Sequence, residues 1–240
     1  MIKPTAEELQ KAVNRKVPDL IGPNLDVLFC GINPGLYSGA TGRHFARPGN
    51  RFWPALYAGG FTDRLLKPHE EDELLSRGYG VTALVRRTTA TAAELSDDEY
   101  RKGRIALVRK VRKYKPRWVA ILGLGAYRVG FDRPKAKVGL QPEKIAGAGL
   151  WVLPNPSGLN ANHQLPQLTE MFRDLKRAVD QGESRSRISR DSCGVHSDIS
   201  VCARSASIRG VRPPGFRAVS DAPRLMSSFT VSSRSRQTAR

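Results

Sequence analysis

Short apolar runs recur along the first 180 residues and are separated by polar segments that contain glycine and proline. Four of these runs are continuous, a pattern typical of strands that are buried on both faces. They are residues 25–30, 79–85, 117–123 and 150–154. Because segments with helical signals lie between them, the pattern predicts an α/β fold with a mostly parallel sheet covered by helices on both sides.

Capping residues mark the ends of several predicted helices. Thr5 and Glu8 form a capping box that opens a short first helix. Ser96 and Glu99 form a second box, and the helix that they open reaches Tyr114 before Pro116 stops it. Further helices are predicted over residues 50–60 with Asn50 as the N-cap, over 67–78 and over 165–178.

The chain changes character near residue 180. Residues 181–240 contain 14 serines, 11 arginines and no lysine, and they show no sustained periodicity. With 11 basic and 4 acidic residues this segment has a charge of +7 and too little apolar surface to offset the entropy of ordering. We predict a helical extension over 1–19, an α/β domain over 20–180 and a disordered tail over 181–240. The tail either adds non-specific affinity for DNA or is dispensable.

The composition favours an anionic partner and a reducing compartment. The 240 residues carry a formal charge of +18, which favours polyanions such as nucleic acid; a basic tail that only aids solubility is the alternative. The three cysteines form no disulfide framework, and Cys30 lies in an apolar run as a small buried residue. There is no apolar run of roughly 20 residues and no signal peptide pattern. We expect a cytoplasmic protein without membrane association.

Two loops are prominent where predicted strands end. The first is "GINPG" (31–35), and the second is "NPSGLN" (155–160). Ligands of parallel sheets bind beyond the carboxyl ends of the strands, so the two loops are expected to build one site. Neither has the features of a phosphate-binding loop, a serine hydrolase or a zinc site. Asparagine side chains and backbone N–H groups can position a water and stabilise a developing anion, which suits cleavage of a nucleoside glycosidic bond.

Six motifs occur in a fixed order across residues 20–180: "FCGINPG", "TGRHFARPGNRFW", "GFTDRLLKP", "GVTALV", "AILG" and "WVLPNPSGL". Together they resemble the mismatch-specific uracil-DNA glycosylases (Mug), which are relatives of thymine-DNA glycosylase. The resemblance implies a three-layer α/β/α uracil-DNA glycosylase fold with a central four-stranded parallel sheet. It also implies an enzyme that flips uracil out of G·U mismatches and hydrolyses its N-glycosidic bond, with mispaired thymine and ethenocytosine as further candidate substrates.

The resemblance assigns roles to individual residues. Asn33 corresponds to the asparagine that positions the catalytic water. The pocket for the base would be lined by Ile32, Gly35, Phe45 and Asn155, with the ring of Phe45 stacked on the flipped base. The wedge that enters the duplex would be Gly158, Leu159 and Asn160.

The chain departs from the family pattern at two places. Asn160 and Ala161 stand where Mug-type wedges commonly continue with Ser-Arg, so the arginine contact to the opposite strand is absent. Asn162 and His163 are the alternatives that could replace it. Ala83 stands where Mug proteins can carry a lysine.

Several site residues also have plainer structural interpretations. Considered without the other motifs, Asn33 is typical of a turn former. Phe45 could be a core aromatic, and Leu159 could be an ordinary packed leucine. His44 and His163 are expected to form hydrogen bonds in loops rather than to act in catalysis. The acidic cluster at 97–99 favours a helix N-terminus, and a carboxylate from it that reaches the water is a minority alternative.

The implied enzyme needs no metal or cofactor, and three scattered cysteines cannot supply the four thiolates of an iron–sulfur cluster. We expect a monomer that acts on double-stranded DNA with a mispaired or damaged base. The alternative from another class is a non-catalytic protein that binds mismatches or abasic sites on the same fold. A nucleotide-binding α/β enzyme is disfavoured because the phosphate-binding motifs are missing.

Overall fold

The computed structural model describes residues 3–158 and 163–191, with side chains up to Gly182. The strands are β1 (Val27–Gly31), β2 (Tyr79–Ala83), β3 (Trp118–Leu122), β4 (Gly139–Ile145) and β5 (Ala148–Leu153). The helices are α1 (Ala6–Lys11), α2 (Leu36–Thr41), α3 (Phe52–Ala58), α4 (Glu73–Ser76), α5 (Asp97–Tyr114), α6 (Leu124–Gly130) and α7 (Leu165–Asp191). Short 3-10 turns cover Pro68–Glu70 and Ala92–Glu94.

The strands form one sheet in the order β2-β1-β3-β5-β4. The four predicted strands β1, β2, β3 and β5 pair in parallel and confirm the mostly parallel sheet. The expected number of four strands is wrong, because β4 adds a fifth that runs antiparallel to β5. This edge strand has no continuous apolar run; only Gln141 and Ile145 are buried in it. It also contains Pro142, which sheets accept at their edges.

Both faces of the sheet are covered. Along β1, Val27 and Phe29 point into one apolar cluster, and Leu28 and Cys30 point into another on the opposite face. The first cluster includes Phe172 of α7, whose ring lies stacked 6.1 Å from that of Phe29. Burial of such side chains contributes roughly 1.5–3 kcal/mol each. The continuous apolar run of β1 therefore reflects a three-layer α/β/α architecture, as predicted.

The predicted helix boundaries are confirmed at both capping boxes. Thr5 and Glu8 exchange backbone-to-side-chain hydrogen bonds at the start of α1, and Ser96 and Glu99 do so at the start of α5. α5 ends at Tyr114, as expected, where Lys115 takes a left-handed conformation.

Three other boundaries differ from the prediction. α3 begins at Phe52 rather than at residue 51, with Arg51 as its N-cap, and the Asn50 side chain accepts a hydrogen bond from the Phe52 N–H at 2.9 Å. The single helix predicted over 67–78 is wrong, because a 3-10 turn and the four-residue α4 replace it. α7 continues to Asp191 instead of ending near 178, since the sequence has no proline between Pro166 and Pro213 to stop it. The rest of the predicted tail lies outside the described residues.

Within the described ranges, no helix combines the length and the apolar character that crossing a membrane requires. The same ranges contain no group of three or more His, Cys, Asp or Glu side chains arranged to hold a metal ion.

Candidate active site

A pocket of about 320 Å³ opens where the four parallel strands end. Their last residues stand in register, since Gly31 aligns with Ala83 and Leu122, and Leu122 aligns with Leu153. The pocket is lined by the loop after β1, by parts of 44–50 and 82–92, and by Asn155 and Ser157. The two loops singled out in the sequence therefore meet at one site. The volume is near the lower end of the range for ligand pockets, which suits a small ligand.

The side chain of Asn33 is fixed in one orientation by its amide nitrogen. The two N–H groups of Nδ2 are shared among three acceptors, the Thr89 hydroxyl at 2.6 Å, the Arg87 carbonyl at 3.1 Å and the Pro34 carbonyl at 3.2 Å. Rotating the amide by 180° would place an oxygen against two carbonyls, so the assignment of oxygen and nitrogen follows from the partners. Oδ1 accepts no hydrogen bond from the described residues. It remains the acceptor that Asn33 offers to a ligand or water in the pocket.

The partners of Asn33 are themselves held by a charged network. The Arg87 guanidinium donates to both carboxylate oxygens of Glu99, at 2.5 and 3.0 Å, and to the Glu94 carbonyl at 2.8 Å. Hydrogen bonding to Arg87, together with the Ser96 N–H, lowers the pKa of Glu99 to about 2. Glu99 is therefore ionised and engaged by Arg87. Glu99 is therefore not the carboxylate of the alternative in which a residue from 97–99 reaches the water. Asp98 is also engaged, because it pairs with Lys102 at 2.7 Å.

Phe45 lines the pocket and also packs against the core. Its ring stacks on that of Phe52 with centroids 4.0 Å apart, and its edge lies beside Gly31, where a Cβ would approach the ring to 3.3 Å. The backbone of Phe45 has a φ of +51°, an uncommon conformation for a bulky residue. The packing on Phe52 agrees with the interpretation as a core aromatic, and stacking of the Phe45 ring on a base stays a prediction. It is anchored on one side by Phe52 and stays half-buried at the pocket wall.

Ile32 and Gly35 contribute different surfaces to the same wall. The side chain of Ile32 packs over Gly123, where a Cβ would lie 2.7 Å from Ile32 Cγ1. Gly35 is exposed, has an ordinary φ of −77°, and has no described atom within 4 Å of the position that a Cβ would take. The fold itself therefore does not require glycine at position 35, and the open space is available to a ligand.

The second loop is held in place by its own side chains and by the segment before α3. Asn155 lines the pocket, and its Oδ1 accepts a hydrogen bond from the Ser157 N–H at 3.0 Å. Arg51 donates from its backbone to the Pro156 carbonyl at 2.9 Å and from its guanidinium to the carbonyls of Ser157 and His163. Gly158 packs so closely on Gly49 that a Cβ would lie 2.6 Å from the Gly49 carbonyl oxygen. Of the predicted wedge, Leu159 and Asn160 lie outside the described residues.

His44 is more central than its sequence context suggested. The side chain is buried, lines the pocket and places Nε2 2.9 Å from the Pro18 carbonyl. Because a carbonyl only accepts, Nε2 carries the proton. Burial lowers the pKa of His44, so the imidazole is neutral at neutral pH. The interpretation as a hydrogen-bonding loop residue is correct for Nε2, but the pattern gave no sign of its place in the pocket wall.

Thr89, Arg87 and Arg51 were not identified as site residues from the sequence. Thr89 and Arg87 are 56 and 54 residues away from Asn33 along the chain, and they meet it only because β1 and β2 are adjacent. Arg51 lies within the "GNRFW" motif, and this motif could have indicated from the sequence that Arg51 belongs to the site.

Fold and site together define an α/β protein with a small ligand pocket at the carboxyl ends of parallel strands, built around a fixed asparagine. Residues 18–176 match the model of the uracil DNA glycosylase superfamily, and the chain belongs to that superfamily. This identifies it as a DNA glycosylase, a hydrolase of N-glycosidic bonds that acts on DNA.

A similar solved structure is the solution NMR structure of a candidate uracil DNA glycosylase from Methanosarcina acetivorans. It is 19% identical, with a TM-score of 0.47, and the match covers 68% of this chain and 99% of that one.

Proposed function

We propose that the protein is a monofunctional DNA glycosylase that excises uracil from G·U mismatches and leaves an abasic site for base excision repair. The observation that carries the proposal is the fixed amide of Asn33, whose nitrogen is bound by three acceptors while its oxygen stays available in the pocket. Mispaired thymine and ethenocytosine are further candidate substrates, and the cytoplasm is the proposed location of a monomeric enzyme.

The proposed reaction replaces the glycosidic bond with a bond to water. Oδ1 of Asn33 accepts a hydrogen bond from a water molecule. This hydrogen bond orients the water so that a lone pair of the water oxygen points towards C1′ of the flipped nucleotide. The C1′–N1 bond breaks, its electron pair leaves with uracil as a stabilised anion, and the water oxygen bonds to the oxocarbenium carbon. The water proton then passes to solvent or to the departing base. An amide cannot act as a general base, so the mechanism suits a leaving group that departs readily.

The base would be bound between polar backbone and the aromatic wall. Phe45 would stack on it and return roughly 1–3 kcal/mol, and backbone N–H groups near Ile32 and Phe45 would stabilise the negative charge that develops on the base. None of the described residues that line the pocket is a lysine, so we expect no Schiff-base lyase step.

Extrusion of the base costs a few kcal/mol, least for a mispaired base. In the proposed complex, Gly158, Leu159 and Asn160 fill the vacated stack, and Asn155 contacts the flipped base. The clamp that Arg51 forms on Ser157 and His163 fixes both described ends of this loop. The exposed Arg47 at the pocket is suited to a phosphate contact without sequence preference.

The test is incubation with a duplex that contains one G·U pair, followed by alkali treatment that cleaves abasic sites. We expect strand cleavage with the wild-type protein and almost none with Asn33→Ala. Binding without cleavage would instead favour the alternative, a non-catalytic protein that recognises mismatches or abasic sites. Cleavage undiminished in Asn33→Ala would place the catalytic role on another residue.

A further inference from the structure

A second groove lies between α5 and the hairpin that joins β4 to β5. It holds about 520 Å³ and includes Ile105, Val108 and Arg109 of α5 on one side and Lys144–Ala146 on the other. Ile145 of β4 pairs with Ala148, the first residue of β5, whereas the candidate active site follows Leu153, the last residue of β5. The groove is therefore at the opposite end of the strands from the base pocket.

The floor of this groove is apolar. Ile105 is 50% exposed in it and Val108 is half-buried, and Phe131 and Ile145 lie buried at its base. On α5, Ile105, Val108 and Arg112 follow the three- and four-residue spacing of one helix face. A half-exposed isoleucine in a concave site gains free energy when another apolar group covers it.

The rim of the groove is strongly cationic. No acidic side chain of the described residues forms an ion pair with the four cations Arg104, Arg109, Arg112 and Lys144. The one carboxylate in the groove, Glu143, is already bound by Arg133 at 3.0 Å and by the Tyr127 hydroxyl. The Arg104 guanidinium lies 6.0 Å from the centroid of the Phe131 ring, a cation–π contact, and no carboxylate of the described residues pairs with the other three cations. The groove therefore carries an excess of positive charge, and an anionic partner would relieve the repulsion among these cations.

We propose that this groove binds an acidic peptide segment of a partner protein that carries at least one large apolar side chain. Carboxylates would pair with Arg109, Arg112 and Lys144, and the apolar side chain would cover Ile105 and Val108. A nucleic acid backbone supplies negative charge but offers no apolar group for the floor. Since the groove and the base pocket are at opposite ends of the strands, the peptide and substrate DNA can be bound at the same time.

The test uses fluorescence anisotropy with the full-length protein and the labelled peptide Asp-Glu-Asp-Leu-Ile-Phe-Asp-Glu. Two comparison probes are the same peptide with serine in place of its three apolar residues, and inorganic polyphosphate as a competitor without apolar groups. We expect the serine peptide to bind at least about tenfold more weakly, and Arg109→Glu or Ile105→Asp to weaken binding of the original peptide by about tenfold. Circular dichroism checks that both variants are folded.

Arg47→Glu is the matched control, because it makes the same charge change at an exposed arginine beside the base pocket. It should leave the affinity for the peptide unchanged, whereas Arg109→Glu should leave uracil excision unchanged. A duplex with a stable abasic-site analogue, added at saturation, should not displace the peptide.

Any of four results would overturn the proposal: no measurable binding of the acidic apolar peptide, equal binding of the serine peptide, equal binding by Arg109→Glu, or displacement by the duplex. The last result would make the groove a DNA-binding surface instead. Absence of uracil excision by the wild-type protein would count against the proposed function and leave the peptide result unaffected.

Discussion

The hydroxyl of Thr89 lies 2.6 Å from Asn33 Nδ2, and Thr89→Val removes it with little change in side-chain shape. Thr89 is only 1% exposed, so water does not replace the lost partner. Asn33 keeps the two carbonyl acceptors of Arg87 and Pro34. A hydrogen bond of this kind contributes about 1 kcal/mol, which corresponds to about a fivefold slower chemical step if the lost bond loosens the amide.

Single-turnover excision from a G·U duplex, with enzyme in excess, measures this effect without interference from slow product release. The matched control is Thr89→Ser, which keeps the hydroxyl that accepts from Asn33 and donates to the Thr91 carbonyl at 2.7 Å. We expect Thr89→Ser to retain most of the wild-type rate and Thr89→Val to be slower, with similar affinity for duplex DNA in both. Thermal unfolding of each variant separates loss of anchoring from loss of fold.

The reasoning fails if Thr89→Val and Thr89→Ser excise uracil at the same rate while both are folded. Asn33 would then be held sufficiently by the backbone carbonyls alone. A drop in DNA affinity with an unchanged single-turnover rate would also contradict it, because the hydroxyl would then act in binding rather than in placing the water.

Three further predictions concern the base pocket, the charged network and the core. Gly35→Ala should fold, since its Cβ meets no protein atom, and should excise uracil more slowly, since Gly35 lines the pocket; equal kinetics would contradict this. The pKa of Glu99 lies at about 2 instead of 4.5, so its ion pair with Arg87 stabilises the fold above pH 4.5, and this stability is lost as the pH falls from there through 2. Glu99→Gln should therefore flatten the fall in unfolding free energy over that window, and an unchanged slope in acid denaturation would refute it. Gly59→Ala should destabilise the fold by about 1–3 kcal/mol in urea unfolding, because its Cβ would lie 2.7 Å from Cβ of Phe172, and a smaller loss would show that α7 can shift.

Features of the fold that are set by neighbouring residues could be predicted from the sequence, whereas features set by contacts between distant segments could not. The run 25–30 identified β1 because both of its faces are buried, and the capping box at Ser96 located the start of α5 within one residue. β4 was missed because alternate burial at an edge, with Pro142 inside, leaves no apolar run.

For the site, the two loops and Asn33 were predictable from their motifs. The orientation of the Asn33 amide was not, because its acceptors Arg87 and Thr89 follow another strand and only the pairing of β1 with β2 brings them near. The predicted strand over 79–85 is two residues too long, because β2 ends at Ala83. Leu84 and Val85 still donate backbone hydrogen bonds to the carbonyls of Gly31 and Ile32, and further along Thr89 forms a bridge with Gly35 beside Asn33.

The assembly of the pocket from segments far apart in the chain has a consequence for cooperativity. The walls come from the ends of β1, β2, β3 and β5, and the last of these is more than a hundred residues after the first. Such contacts form late in folding and depend on the whole sheet. The catalytic geometry therefore cannot outlast the global fold, and excision activity should be lost no later than tertiary structure in a denaturant titration.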